Sequence, residues 1–255
     1  MLTNGDKEFV YGCVPNGKIG ISVILNGTAQ IKTDNGWEMQ PAISIYGLIK
    51  KVQFHKMSPH YHEINIGFDP HYLQFLLKDS LSNLKERSAT DLSLILDKNE
   101  LAKLVDYLNQ SYDDEQLLST IDTFLQHNLH QLKIDERILA AYDFICKKYI
   151  WKVDHLCSLL KISTTGLRNI FNEQVGISPK DLIKIHRIKK ALNVKEHNEE
   201  SLTSLAYNLQ YFDQSHFIHD FKDAIGLTPK QYYFNQKLTF DFYNFQRLSY
   251  DSFAV

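Results

Sequence analysis

Two stretches of this chain, fifty residues apart, carry the same punctuation, and few folds accommodate it. Phe217, Ile218, Phe221, Ala224 and Ile225 recur at the spacing of one apolar helix face. Asp213 stands before them as an N-cap, its carboxylate placed to accept from the free amides of a first helical turn. Gly226 suits the left-handed residue that ends such a helix, and Thr228-Pro229 reads as a cap followed by proline at the first position of the next helix. Leu167, Phe171, Val175, Gly176 and Pro179 match Phe217, Phe221, Ile225, Gly226 and Pro229. The outer face of the second helix is left with Gln214, Ser215, His216, His219 and Lys222. That of the first is left with Thr164, Thr165, Arg168, Asn169 and Asn172. These side chains are donors of the kind that read base edges and hold phosphates.

The sequence around the repeat is helical from Asp135 onward. Asp135 caps a helix with Ile138, Tyr142 and Ile145 on one face, and Val153, Leu156, Leu159 and Leu160 form a short second one. Ser163 caps the first exposed helix. Ser178-Pro179 opens a long connector through Leu182, Ile185, Ile188, Ala191 and Leu192, whose Lys180, Lys184, Arg187, Lys189 and Lys190 are expected to form a basic surface. Ser201 caps a short helix with Leu202, Leu205, Ala206 and Leu209, and the second exposed helix follows.

Ahead of this, residues 9–68 alternate as strands do. Ile19, Ile21, Val23 and Leu25 lead to Asn26-Gly27, a hairpin signal; Ala29, Ile31 and Thr33 lead to another, Asn35-Gly36. Ile43, Ile45, Gly47 and Ile49, then Ile64, Ile66 and Phe68, repeat the alternation, which argues for a small sandwich or barrel. Past Pro70 the period changes. Tyr72, Leu73, Leu76 and Leu77 suit a short helix; Leu101, Leu104, Val105 and Leu108 form one helical stripe, and Leu117, Leu118, Ile121, Phe124 and Leu125 another. Such helices pack on the sheet or offer a face to a second copy of the chain.

Composition narrows the classes. A chain of 255 residues suits two domains, and 44% hydrophobic content excludes wholesale disorder. The net charge of −2 divides into −4 over residues 1–134, +3 over 135–237 and −1 beyond, a mild basic bias that permits nucleic-acid binding without demanding it. Cys13, Cys146 and Cys157 have no metal-like or redox-like spacing and read as idle thiols of a reducing compartment. The N-terminus lacks the apolar run of a signal peptide, and no stretch approaches bilayer length. The chain is therefore expected in the cytoplasm, off the membrane. His60, His62 and Glu63 are the one metal-like grouping of the N-terminal half. On a strand His60 and His62 share a face and Glu63 lies opposite, so a site needs a further ligand such as His55 or His71. Strand-edge or core histidines are the plainer account, as they are for His127 and His130. No metal or cofactor is expected.

A short helix, a tight turn and a second helix with an outward polar face is the helix-turn-helix pattern, and its second helix fits the DNA major groove. Residues 137–236, about 40% of the chain, resemble the DNA-binding domain of the AraC/XylS family of bacterial transcription regulators. The second repeat carries the signature in Leu205-Ala206, Tyr211, Asp213, Ser215, His216, Phe217, Phe221, Lys222, Gly226, Thr228, Pro229 and Tyr232. The first keeps Ser163, Leu167, Phe171, Gly176 and Pro179, and the connector keeps Arg187 with Ala191-Leu192. One departure stands out. Gln210 occupies the turn position where the family usually has glycine, and Lys161 is its match in the first unit. If that turn needs a positive φ, a non-glycine residue there costs about 1–2 kcal/mol.

The resemblance implies an α+β chain of two domains. Residues 1–132 would be a β-rich sensing or dimerisation domain (cupin-like, or a small barrel or sandwich) with C-terminal helices. Residues 135–237 would be an all-α domain of two helix-turn-helix units joined by a long helix, followed by an aromatic-rich tail over 238–255. The segment INIGFDPHYLQFLL is similar to a strand-Pro-helix passage in one group of these regulators. DNA-binding roles fall on Thr164, Thr165, Arg168 and Asn169, and on Gln214, Ser215, His216, His219 and Lys222. Arg168 is suited to guanine and Gln214 to adenine. The implied partners are double-stranded promoter or operator DNA, a small-molecule effector, RNA polymerase and a second copy of the chain. Such a regulator is not an enzyme. Two other readings stand beside it: a metal-binding or enzymatic N-terminal module fused to a DNA-binding part, and a protein-interaction module whose helix-turn-helix units have lost DNA.

Overall fold

A computed structural model of the chain describes residues 2–3, 6–72, 89–111, 113–128, 134–193 and 201–234. Leu73, Leu76, Leu77, His130 and the tail 238–255 lie outside the described residues. The chain divides into two compact units. One comprises residues 1–10, 19–47 and 55–133; the other comprises 134–255 together with the short segments 11–18 and 48–54.

The strands are β1 (Leu2–Thr3), β2 (Phe9–Cys13), β3 (Ile19–Asn26), β4 (Ala29–Thr33), β5 (Gly36–Met39), β6 (Ile43–Tyr46), β7 (Gln53–Met57), β8 (His62–Phe68) and β9 (Thr90–Asp91). They form two sheets, ordered β1-β8-β3-β6-β9 and β2-β7-β4-β5. Asn35-Gly36 closes the β4–β5 hairpin, with Thr33 opposite Gly36 and that glycine at φ 120°. Asn26-Gly27 makes a turn of another kind. Gly27 has φ 79°, but β3 and β4 belong to different sheets, so this turn crosses between them and is not a hairpin. A local turn signal gives the reversal and not the partner of the strand that follows.

The sheet centred on β3 is buried on both faces. Ile21 lies opposite Ile45 and Ile66, and Val23 opposite Ile43 and Ile64, so one face is mainly aliphatic, with Phe68 opposite Ile19 and Thr90 opposite Ile45. Helix α1 (Lys98–Gln110) packs against β3 and against α2 (Asp114–Asn128), burying Leu101, Leu104 and Leu108, with Ile121 and Phe124 buried on α2. Leu118, on the same expected stripe, is exposed. The alternate residues turn to the other face, because side chains alternate along a strand. That face is polar and also buried: Ser22, Ser44 and Glu63 are each no more than 3% exposed.

The second unit is helical: α3 (Glu136–Cys146), α4 (Val153–Leu160), α5 (Thr164–Gln174), α6 (Pro179–Asn193), α7 (Leu202–Asn208), α8 (Gln214–Ile225) and α9 (Pro229–Phe234). The caps fall where the sequence places them. Asp135 accepts from Arg137 N–H, Ser163 from Gly166 N–H, Ser201 from Ser204 N–H and Asp213 from His216 N–H, each within 3.1 Å. Gly176 and Gly226 take φ 84° and 80° at the matched helix ends, conformations that only glycine reaches without strain. One contiguous core runs from Ile138 on α3 to Tyr232 on α9, and α6 alone contributes Leu182, Ile183, Ile185, Ile188, Ala191 and Leu192. Both repeated units are thus built on one connector. Neither has a core of its own.

Candidate nucleic-acid interface

The two turns are the same construction. Lys161 at φ 50° and Gln210 at φ 57° are both left-handed. Lys161 N–H donates to Ser158 O and Ile162 N–H to Cys157 O; Gln210 N–H donates to Tyr207 O and Tyr211 N–H to Ala206 O. That pair of bonds ends the shorter helix in each unit by satisfying carbonyls its own ladder leaves open. The turn does need a positive φ at Gln210, and it keeps the conformation a glycine would take. The side chain is put to use. Gln210 Nε2 donates to Tyr149 O at 3.0 Å, and Gln210 O accepts from Arg187 Nη2 at 3.1 Å.

Arg187 reaches further. Its Nη2 also donates to Trp151 O at 2.9 Å, and its guanidinium lies 4.7 Å from the Tyr211 ring centre. Burial lowers its pKa from the usual value, with the charge of Asp220 opposing. Lys190 caps the Tyr149 ring at 3.6 Å, and Lys184 pairs with Asp220 at 3.0 Å and Asp223 at 2.9 Å. The basic surface expected on the connector is accordingly corrected. Lys184, Arg187 and Lys190 point into the helical unit and fix its turns and α8. The hydrogen-bond partners of Arg187 and Lys184 lie 23 to 39 residues away in sequence, so a local reading of a charged helix face misses them.

On α5, Thr164, Thr165, Arg168 and Asn169 are exposed on one face, and the Thr164 hydroxyl is 3.8 Å from the Cys157 thiol. On α8, Ser215, His216, His219 and Lys222 are exposed. Gln214 is half-buried, and its Oε1 accepts from the Thr203 hydroxyl at 2.7 Å, which fixes the amide with its nitrogen as the remaining donor. His216 and His219 sit 3.6 and 3.9 Å from opposite oxygens of Asp220, and His216 meets the Tyr211 ring edge-on. Both α5 and α8 pack on α6. Two exposed rings have no place in the sequence motif: Tyr207 on α7 and Phe212 in the second turn. Their signal is a large apolar residue lying off the apolar stripe.

Segment 48–54 is fastened to the same unit. Lys50 pairs with Asp181 at 2.8 Å, Lys51 with Asp223 at 2.6 Å, and Val52 N–H donates to Ala224 O at 2.7 Å. The last of these satisfies a carbonyl at the C-terminal end of α8, where cations are also favoured.

The metal reading is not favoured. His60 is not on a strand: it lies in the turn before β8 at φ 53°, with its Nε2 3.5 Å from Asp6. Among the described residues no group of three or more His, Cys, Asp or Glu is placed to hold a metal. Instead Glu63 accepts from Ser22 Oγ, and Gln40 Nε2 donates to Ser22 Oγ at 2.9 Å and Ser44 Oγ at 3.3 Å. Burial pushes the Glu63 carboxyl up, against hydrogen bonds from Ser22, Tyr61 and Asn65. Among the described residues no helix is long and apolar enough to cross a membrane.

Two helix-turn-helix units with matched turns, outward donors and a shared connector define a double helix-turn-helix protein. Residues 156–233 match the family model described as a helix-turn-helix domain. The chain is similar to the HTH-type transcriptional activator RhaS of Escherichia coli, 26% identical over 108 residues, covering 42% of this chain and 38% of that protein. Among solved structures it is similar to ToxT from Vibrio cholerae, at TM-score 0.44 and 17% identity, covering 91% of this chain and 97% of that one. It is also similar to a probable AraC family transcriptional regulator from Rhodopseudomonas palustris, at TM-score 0.35 and 22% identity, covering 41% of this chain and 98% of that one. The matches span 28% to 38% of the length of the curated relatives. Residues 156–233, within the helical unit, are thus what this chain shares with these regulators.

Proposed function

We propose that the chain is a sequence-specific DNA-binding transcription regulator. The observation that carries this reading is the equivalence of the two turns, each followed by a capped helix whose outer face is made of donors. Residues 135–237 form the DNA-binding domain, and the two reading helices address successive major-groove segments of promoter or operator DNA. Thr164, Thr165, Arg168 and Asn169 serve the first segment; Gln214, Ser215, His216, His219 and Lys222 serve the second. Residues 1–132 form a sensing or dimerisation domain. The buried Ser22, Gln40, Ser44 and Glu63 group supports a small-molecule effector there, because it gives that interior polar anchoring groups. Effector binding shifts the population of a DNA-competent arrangement and needs no catalysis. Contact with RNA polymerase and pairing of two copies, in the cytoplasm, complete the proposal.

Selection of bound sequences from random duplex DNA, followed by titration at several salt concentrations, tests it. An enriched motif should emerge, and its affinity should fall linearly with salt on logarithmic axes, as phosphate contacts require. No enrichment at any salt concentration would sink the reading.

A further inference from the structure

Phe212 is 93% exposed, more than any other large hydrophobic side chain among the described residues. Its neighbours hold it in place. Tyr211 on one side is 6% exposed, packed 5.4 Å from the Phe217 ring and bonded through its N–H to Ala206 O at 3.0 Å. Asp213 on the other side is the N-cap of α8. The backbone that carries this phenyl ring into water at the entrance of the second reading helix is therefore fixed on both sides, although burial of such a ring is favourable.

The first unit has no counterpart. Only Ile162 stands between left-handed Lys161 and the cap Ser163, whereas Tyr211 and Phe212 stand between Gln210 and Asp213. Ile162 and Tyr211 make the same backbone bond, so Phe212 is the added residue. In a helix-turn-helix unit the N-terminal residues of the second helix meet the base edges. Phe212 therefore stands beside Gln214 and Ser215, where an apolar group finds one apolar partner in the major groove, the 5-methyl of thymine.

We propose that Phe212 is a specificity-determining residue of the second reading head, packing its ring on a thymine methyl from a turn position that the first head lacks. This rests on the DNA-binding reading above. It gives two otherwise matched heads different preferences.

The test uses the full chain and its selected duplex, with each thymine of the half-site read by α8 replaced in turn by uracil, which lacks only the methyl. One replacement should lower wild-type affinity about four-fold, the transfer value of a single methyl group. Phe212→Ser should bind the thymine and uracil duplexes alike, at the wild-type level for uracil, and Phe212→Leu should retain part of the preference. The exposed position makes Phe212→Ser a folded variant, checked by an unchanged thermal midpoint. Specific binding with every uracil replacement neutral would overturn the proposal. So would a thymine preference that survives in Phe212→Ser, or a Phe212→Ser variant that changes only self-association. Absence of any specific binding would overturn both this proposal and the reading beneath it.

Discussion

One nitrogen of Arg187 holds the carbonyl of Gln210 at 3.1 Å, in the turn that presents the second reading helix, and the carbonyl of Trp151 at 2.9 Å. The connector between the two heads is thus also the clamp on the second turn. Arg187→Lys replaces a planar guanidinium, stacked on Tyr211, with a point charge. It should cost about 1–3 kcal/mol in denaturant unfolding. Discrimination should fall at base pairs read by α8 before those read by α5.

The two left-handed turn residues predict unequal responses to glycine. Lys161→Gly relieves the strain of a non-glycine residue at φ 50° and should stabilise by about 1 kcal/mol. Gln210→Gly relieves the same strain but loses the bond to Tyr149 O, so its net change should be about half as large or less. Urea midpoints of the two variants, compared with wild type, check the difference.

Asp223 carries a pH signature. Lys51 first and Lys184 second hold its pKa at about 2, against 3.8 when unperturbed. The folded chain therefore binds fewer protons than the unfolded chain between those values. The contribution is complete above the unperturbed value and is lost as pH falls through about 2. Asp223→Asn should cost about 1 kcal/mol at pH 6, allowing for solvent screening of a partly exposed pair, and the deficit should close in acid.

Glu63 has the opposite sign. Burial raises its carboxyl above the ordinary 4.5, so the folded chain binds the extra proton and loses stability as pH rises from there through the folded value. Glu63→Gln keeps an oxygen for Ser22 and cannot ionise. It should be more stable than wild type by about 1–2 kcal/mol at pH 8, and equal to it near pH 4. Chemical unfolding at the two pH values decides.

The repeat was legible because everything that defines it is local. The apolar stripe through Phe217 and Phe221, the cap at Asp213 and the glycine at 226 lie within one helix length. The positive φ of Gln210 was only a condition raised by the glycine usual at that place in the resembled family, and the structure supplies it. What escaped depends on distant partners. Lys184 and Arg187 read as surface charges because the Gln210 carbonyl lies one element away and Asp220 and Asp223 lie two elements away. Lys50 and Asp181 are separated by 131 residues, and nothing local assigns segment 48–54 to the helical unit. Asn26-Gly27 announced a reversal correctly, yet the partner of the strand beyond it was set by the sheets.

The central claim is that two reading heads in one chain address two stretches of one duplex. Base-pair-resolved binding of wild type, Arg168→Ala and Gln214→Ala to the selected site tests it most directly. Each variant should lose about 1–3 kcal/mol at its own base pair, the two positions lying about one helical turn apart, with the other position unaffected. Losses falling on the same base pair, or uniform losses over all sequences, would contradict the account.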